Sequence, residues 1–484
     1  MNAMRFINSY AHLPEPFYQR IEPEPAAAPS LIRLNRPLAE RLELDLPEDD
    51  ADLAALFSGN RLLPGSEPIA QAYAGHQFGQ FVPQLGDGRA HLLGETVNKA
   101  GERFDIQLKG SGRTKFSRGG DGRSPLGPVL REYVVSEAMH AMGIPSTRAL
   151  AMTSTGQPVF REAELHGAVL TRVASGFVRV GTFEYFAARR MEDAVRQLAD
   201  HVIERNHPSA SQADNPYLAL FEAICSAQAE LMARWMCVGF VHGVMNTDNT
   251  AVSGETIDFG PCAFLDQYDP EAVFSSIDHF GRYAFNRQPT IMAWNLACLG
   301  GCLIPLLDDD ESRAHTVGEA VLERFIPTFA AHYTQGLCRK IGLPGDDESF
   351  ALARGLLDLM RRNGTDFTNA FRALCDAQAD PAPFTALFAT NEEIRGWLND
   401  WRTRLALTGS AGTARKTMRS ANPAFIPRNH RIEQAIRAAE VGDFTLVDRL
   451  IEVLQRPYED QPENAEYTAP PRPEERVEQT FCGT

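Results

Sequence analysis

HGVMNTDNTAVSGETIDFG, from His242 to Gly260, is the stretch on which the reading of this chain turns. Thr250 to Ile257 reads as two short strand pieces around Ser253-Gly254, a hairpin returning Asp258 to the neighbourhood of Asn249. Asn249 and Asp258 would then offer hard oxygen ligands to one divalent cation. Asp248, whose side chain diverges from its neighbour's in an extended segment, is left over. A free carboxylate beside a bound cation can accept the proton of an attacking hydroxyl, worth roughly 10²- to 10⁴-fold in rate. The alternative is that Asp248 merely caps a turn.

The spacing has a parallel in phosphoryl transfer. Protein kinases place a His seven residues before a metal-binding Asn, and hold magnesium with Asp-Phe-Gly. His242, Asn249 and Asp258-Phe259-Gly260 repeat that arrangement, but Val244 stands where the kinase base would be.

Upstream, FDIQLKGSG reads as a strand, with Phe104, Ile106 and Leu108 alternating with Asp105, Gln107 and Lys109. Lys109 sits at the strand end before a Gly-rich loop, where it could hold nucleotide phosphates or simply lie in water. The loop GSGRTKFSRGGDGRSPLG lacks GxxxxGK[ST], so it is not a Walker A motif; backbone NH groups and cationic side chains would surround phosphate there. From Ile106 to Arg131 six cations (Lys109, Arg113, Lys115, Arg118, Arg123, Arg131) face Asp121 alone, although the chain has few lysines. The following helix, PVLREYVVSEAMHAMG, is apolar on most sides and should be sandwiched. Its Glu132 could pair with Lys109 or with a loop arginine. FVPQLGDGRAHLLGE reads as a hairpin turning at Gly86-Asp87-Gly88, with Arg89 just after it.

Composition sets the frame. A chain of 484 residues, 44% hydrophobic and 23% charged, is long enough for two or three compact units. A net charge of −16 argues against wrapping nucleic acid, so any polyanion site must be made locally. With no unbroken apolar run of about 18 residues and no signal-like start, a cytoplasmic protein with no membrane partner is expected. The eight cysteines form no CxxC pair and read as free thiols. Cys298 and Cys302 lie one helical turn apart, which geometrically could hold half a metal site, but no nearby His or Cys pair completes it and packing is the better reading. Helices are expected at Met191 to Asn206, Tyr217 to Val238, Ser312 to Ile341, Ser349 to Arg362, and Arg431 to Leu454 with a break at Gly442; the tail from Tyr458 reads as irregular or disordered.

HGVMNTDN with IDFGP, LKGSGRTKFSRGGDGRSPLGPVLREY, LTRVASGFVRVGTFEYF, YAGHQFGQFVPQLGDGRA and the terminal TFCGT together resemble the selenoprotein O family of protein adenylyltransferases, from near Tyr10 to the last residues. The resemblance implies an α+β, protein-kinase-like two-lobed fold. On this chain that gives an N-terminal arm with short helices (1–60), a β-rich N-lobe (61–165), a helical C-lobe (166–380) and a helical extension with a polar tail (381–484). It implies ATP bound in a flipped orientation with Mg²⁺ or Mn²⁺, and AMP passed to Ser, Thr or Tyr hydroxyls of protein substrates; some members are described as using UTP. Carried over, Asp248 resembles the proton acceptor, and Asn249 and Asp258 the metal ligands. Gly86, Gly88, Arg89, Lys109, Asp121 and Gly122 match nucleotide contacts, with Glu132 as the partner of Lys109. Arg172 and Arg179 match a pair gripping the terminal phosphate. Their guanidinium forks suit phosphate, and ion pairs with acids such as Glu184 are the alternative. Cys482 matches a reactive C-terminal cysteine, for which Cys262 is the one candidate partner after Asp-Phe-Gly. An ordinary γ-phosphoryl kinase and a silent nucleotide-binding scaffold stay open as other readings.

Overall fold

In the computed structural model, which describes residues 6–389 and 391–480, the alternating segment 104–109 lies at the centre of an antiparallel sheet. The amino-terminal part runs β1 (Tyr18–Arg20), β2 (Ser30–Leu34), α1 (Arg36–Arg41), α2 (Asp50–Ser58), β3 (Ile69–Gln71), β4 (Gly75–Gln77), β5 (Gln80–Val82), β6 (Ala90–Val97), β7 (Arg103–Lys109), β8 (Ser124–Pro125), α3 (Leu126–Ala141), β9 (Arg148–Phe160) and β10 (Glu164–Ala174). Helices then dominate: α4 (Val180–Ala187), α5 (Glu192–Asn206), α6 (Pro216–Val238), a ribbon of β11 (Phe240–Val241) and β12 (Ala263–Phe264), α7 (Gln288–Leu307), α8 (Glu311–Lys340), α9 (Asp347–Asn363), α10 (Phe367–Leu374), α11 (Ala382–Thr385), α12 (Asn391–Leu407), α13 (Ala414–Arg419), α14 (Asn429–Ala439) and α15 (Thr445–Leu454). The strand order is β1-β3-β6-β7-β10-β9-β2, with β8 added to β10.

Side-chain alternation on β7 decides the two faces of the sheet. Ile106 and Leu108 join Leu53, Phe57 and Leu93 in a core under α1 and α2. The other face is polar yet buried: Asp105 pairs with Arg205 of α5 at 2.7 Å, and Gln107 and Lys109 turn towards α3 and β10. The polar strand face, on which Lys109 could also have lain in water, is thus a buried charged layer. Helix α3 is sandwiched, as its all-round apolar sequence implies, between the sheet and α14 and α15. Burying Leu130, Val134, Val135 and Met139 at roughly 1.5–3 kcal/mol each anchors it more than helix propensity does.

The helices begin and end where local chemistry says they should. Asn215 caps α6 by accepting from Tyr217 N and Leu218 N, and Gly239 (φ 74°) ends it. Asp346 caps α9, whose first turn carries Asp347 and Glu348 and whose last turn carries Arg361 and Arg362. The break at Gly442 falls between α14 and α15 as expected.

Several expectations need correction. The turn at Gly86-Asp87-Gly88 does not join a hairpin. β5 pairs with β4, and residues 85–87 bond back to Tyr73 and Gln71, because buried Asp87 accepts from Gln71 N. Nor is TAVSGETI a self-paired hairpin: Ala251 bridges to Arg179 and Thr256 to Ser146, so its two halves dock on different neighbours. The arm contributes β1 and β2 to the sheet, and residue 165 falls inside β10. Helix α7 was passed over. Residues Phe285–Leu307 are long and apolar enough to cross a membrane by composition alone, but 56% of that apolar window is buried against α4, α6 and α8. The tail is irregular but ordered as far as Thr480, which donates from its backbone to Phe274 O (2.7 Å) and from its hydroxyl to Pro261 O (2.6 Å). Cys482 lies outside the described residues.

Arg428 fastens the C-terminal region to the segment after Asp-Phe-Gly. Its side chain is fully buried between Asp266 and Asp366 (2.8 Å) and donates to Thr468 O at 2.9 Å. Arg428→Ala leaves two carboxylates without their cation, so urea unfolding should show a loss of roughly 3–5 kcal/mol. The exposed Arg449→Ala should change stability by less than about 0.5 kcal/mol.

Candidate active site

Two glycine-bearing segments lock together to make one wall. Gly86 has φ 92°, and a Cβ there would lie 2.4 Å from the Phe116 ring, so only glycine lets the turn approach the basic loop. The contact is sealed by Thr114 Oγ1 donating to Asp87 O (2.7 Å) and Ser117 Oγ donating to Gly88 O (2.5 Å). Further along, Gly112 N donates to Gly122 O at 3.0 Å; a Cβ on Gly122 (φ 67°) would sit 2.1 Å from Gly112 O. The loop is therefore a folded structure and not a solvated run of charge.

Behind that wall lies a charge network. The Lys109 ammonium contacts Glu132 of α3 (2.6 Å) and Asp258 (2.5 Å). Glu132 also accepts from Arg172 of β10 (3.1 Å), and Arg172 donates twice to Gln107 (2.6 and 3.2 Å). Burial opposes ionisation of Asp258, but Lys109, Arg172 and Arg89 outweigh it and hold the carboxyl well below its ordinary range. Asp258 adopts the left-handed backbone region, φ 68°.

The third part is the loop after β11. His242 is buried; its Nε2 lies 2.9 Å from Ile257 O, and Nδ1 accepts from Val244 N at 3.4 Å. Burial lowers its pKa, so it is a neutral structural link between the loop and the segment before Asp258. Residues Thr247–Asn249 form a 3-10 turn, not the extended segment expected, and this turn separates Asp248 from Asn249. Asn249 Nδ2 donates to Val244 O (3.0 Å), leaving its amide oxygen for a ligand. The β4–β5 ribbon clamps the turn from outside: His76 N donates to Thr247 Oγ1 (2.6 Å), Gln77 Nε2 to Asp248 Oδ2 (3.2 Å), and Phe78 N to Asn246 Oδ1 (3.1 Å). Asp248 Oδ1 is buried with no hydrogen-bond partner among the described residues. Burial pushes the Asp248 carboxyl up to about 6, with the Gln77 bond opposing.

These parts enclose a cavity of about 940 Å³. Of the residues singled out in the sequence, Gly86, Gly88, Arg89, Asp121, Gly122, Asp248, Asn249 and Asp258 line it. Lys109 and Glu132 line an adjoining recess with Arg89. Arg172 and Arg179 lie behind the lining, each about 3% exposed; Arg179 packs 4.2 Å above the Tyr73 ring and 3.8 Å from Asp87. Neither uses Glu184, which instead contacts His76 and Thr247. Arg131 leaves the basic cluster altogether for Asn429 and Glu433.

Among the lining residues that sequence reasoning missed are Arg161, Tyr73 and Gln77. Arg161 grips Asp121 with two bonds (2.8 and 3.2 Å) from the β9–β10 turn, 40 positions away, and no local pattern marks it. Tyr73 and Gln77 stand in the YAGHQFGQF segment already quoted; the glycines there were the available signal of close approach, since a Cβ on Gly75 would lie 2.5 Å from Asp248 Oδ1.

Comparison with known proteins shows what the chain is similar to. The family described as "Protein adenylyltransferase SelO" matches residues 1–455. The chain is 56% identical over 487 residues to "Protein nucleotidyltransferase YdiU" of Maridesulfovibrio salexigens, covering 100% of this chain and 99% of that protein. Proteins of the same description from Rhizobium etli strain CIAT 652 and Nitrobacter hamburgensis are also 56% identical, each over 488 residues. The first alignment covers 100% of this chain and 98% of that protein, the second 99% and 96%.

The buried Asp248 carries a stability consequence. Its folded pKa of about 6 lies above the ordinary 3.8, so between these values the folded state keeps a proton that the unfolded chain releases. Its contribution to stability therefore falls as pH rises through that window and stays low above it. Asp248→Asn should raise stability at neutral pH by up to about 3 kcal/mol, and the difference from wild type should vanish as pH falls towards 4. Urea titrations across that range measure it.

Proposed function

The chain belongs to the SelO family of protein adenylyltransferases and is an enzyme that transfers a nucleotide; from that premise we propose that it moves AMP from ATP to Ser, Thr or Tyr hydroxyls of other proteins in a protein-kinase-like, two-lobed cleft. The observation that carries the reading is Asp248, a buried carboxylate with one oxygen unpartnered among the described residues, lining the same cavity as Asn249 and Asp258. Val244, buried at the position of the kinase base, offers no proton acceptor.

In this reading the α-phosphate faces Asn249 and Asp258, and the outer phosphates lie towards Arg89 and Lys109, with Arg172 and Arg179 adding positive charge from behind the lining. Asp248 takes the proton of the attacking hydroxyl as oxygen bonds to the α-phosphorus and pyrophosphate departs. A carboxylate with a pKa near 6 suits that step: it is ionised at neutral pH and more basic than an exposed one. Gln77 orients it, and Gly75 leaves it room. Asn249 and Asp258 are hard oxygen donors, with Asp258 kept ionised by Lys109 and Arg172, a set that fits Mg²⁺ or Mn²⁺. Such an ion would supply positive charge to the phosphate oxygens.

ATP labelled at either the α- or the γ-phosphate distinguishes the readings. Protein should acquire label from the α-position alone; label from γ alone would make the enzyme a kinase, and neither label with intact binding would make it a scaffold. Running the assay with UTP, and with Mg²⁺ against Mn²⁺, ranks the nucleotides. Asp248→Ala should lower transfer by about 10²-fold or more while nucleotide affinity stays within about threefold. Near-normal turnover in that variant would remove Asp248 as the base.

A further inference from the structure

Outside the cavity, the structure brings His76 and Glu184, but not Cys302, to Cys298 in a group that could hold a metal ion. His76 Nδ1 from β4, a carboxylate oxygen of Glu184 from α4 and Cys298 Sγ from α7 lie within 4.8 Å of one another. They come from three elements spread over more than two hundred residues, so no spacing in the sequence announces them. His76 and Glu184 are in contact at 2.5 Å; Glu184 is buried, and the His76 side chain is 26% exposed, which leaves a way in.

We propose that His76, Glu184 and Cys298 form a binding site for a thiophilic divalent cation, zinc foremost, separate from the oxygen ligands Asn249 and Asp258. One imidazole nitrogen, one carboxylate oxygen and one thiolate are a donor set that zinc accepts, with water completing four ligands. The charges also match. A dication with the Glu184 carboxylate, the Cys298 thiolate and a neutral imidazole makes a neutral assembly, suited to a half-buried place. Around a tetrahedral ion with bonds of about 2.0–2.3 Å, donor atoms stand roughly 3.3–3.7 Å apart. The His76–Glu184 contact must therefore open by about 1 Å, a rotamer adjustment. Binding releases the thiol proton to solvent.

Occupancy would reach the catalytic turn. The second Glu184 oxygen accepts from Thr247 Oγ1, which in turn accepts from His76 N at 2.6 Å, and Thr247 precedes Asp248. A cation that recruits Glu184 draws its carboxylate from the Thr247 hydroxyl and so loosens the turn that holds Asp248. The site is thus inhibitory. The binding claim stands without the proposed adenylyl transfer; the inhibition claim rests on it.

Cobalt(II) titration of the reduced full-length protein tests the binding. A thiolate-to-cobalt charge-transfer band should saturate at one equivalent and be displaced by zinc. It should persist in Asp258→Asn, and disappear in Cys298→Ser. His76→Gln, which keeps the cysteine, should weaken binding at least tenfold. No band, or a band unchanged in Cys298→Ser, overturns the site. With saturating Mg²⁺ or Mn²⁺, one equivalent of zinc should lower AMP transfer by wild type severalfold and leave Cys298→Ser unaffected. Inhibition that persists in Cys298→Ser would place zinc at the catalytic ligands and overturn the regulatory role. A wild type that transfers no AMP under any metal, yet shows the charge-transfer band, would instead count against the proposed reaction and leave the site standing.

Discussion

Lys109 is the point on which the architecture of the site depends. Its ammonium joins a carboxylate from α3 to the carboxylate of Asp258, and Glu132 passes the connection to Arg172 on β10. Two cations and two anions, largely removed from water, balance one another. Any one of them alone would carry a desolvation penalty of several kcal/mol, so the four must assemble together. That condition ties the central strand, the sandwiched helix, the neighbouring strand and the loop before Gly260 into a single geometry before any nucleotide arrives.

The rest of the site works against the character of the whole molecule. A chain with a net charge of −16 should repel a triphosphate at long range. Local cations reverse this, and they are held close by glycines rather than by long excursions of backbone. Gly86 lets two loops touch, and Gly122 lets the basic loop fold against itself, where a side chain would overlap its neighbour by about an ångström. Arg161 then fixes Asp121, and with it the rim of the loop, from the β9–β10 turn. The same economy of space explains Asp248: Gly75 lets the β4–β5 ribbon close over it, excluding water and raising its affinity for a proton.

Much of this was written in local pattern. The period-two alternation of FDIQLK, the helix stop at Gly239 and the all-round apolar surface of α3 each predicted what formed, because each rests on a rule that acts within a few residues. The pairing of Lys109 with Glu132 was legible because a lysine on a polar strand face and a glutamate on a buried helix must both find partners. What was lost depends on contacts distant in sequence. The turn at Gly86-Asp87-Gly88 looked like a hairpin, yet Asp87 is drawn to Gln71 N and the vicinity of Arg179. TAVSGETI looked self-paired, yet it docks on residues 179 and 146. Helix α7 escapes the periodic pattern because it is apolar nearly all round, packed among α4, α6 and α8, and shows no single amphipathic face.

Helix α3 is also covered from outside by α14 and α15, reinforced by the Arg131–Glu433 ion pair and by Tyr458 donating to Met142 O. Its apolar outer surface therefore finds its cover some three hundred residues after it is made. At ribosomal speeds of about 5–20 residues per second, a nascent chain carries that surface uncovered for roughly 15–60 s. Chaperone capture during synthesis has its natural target there.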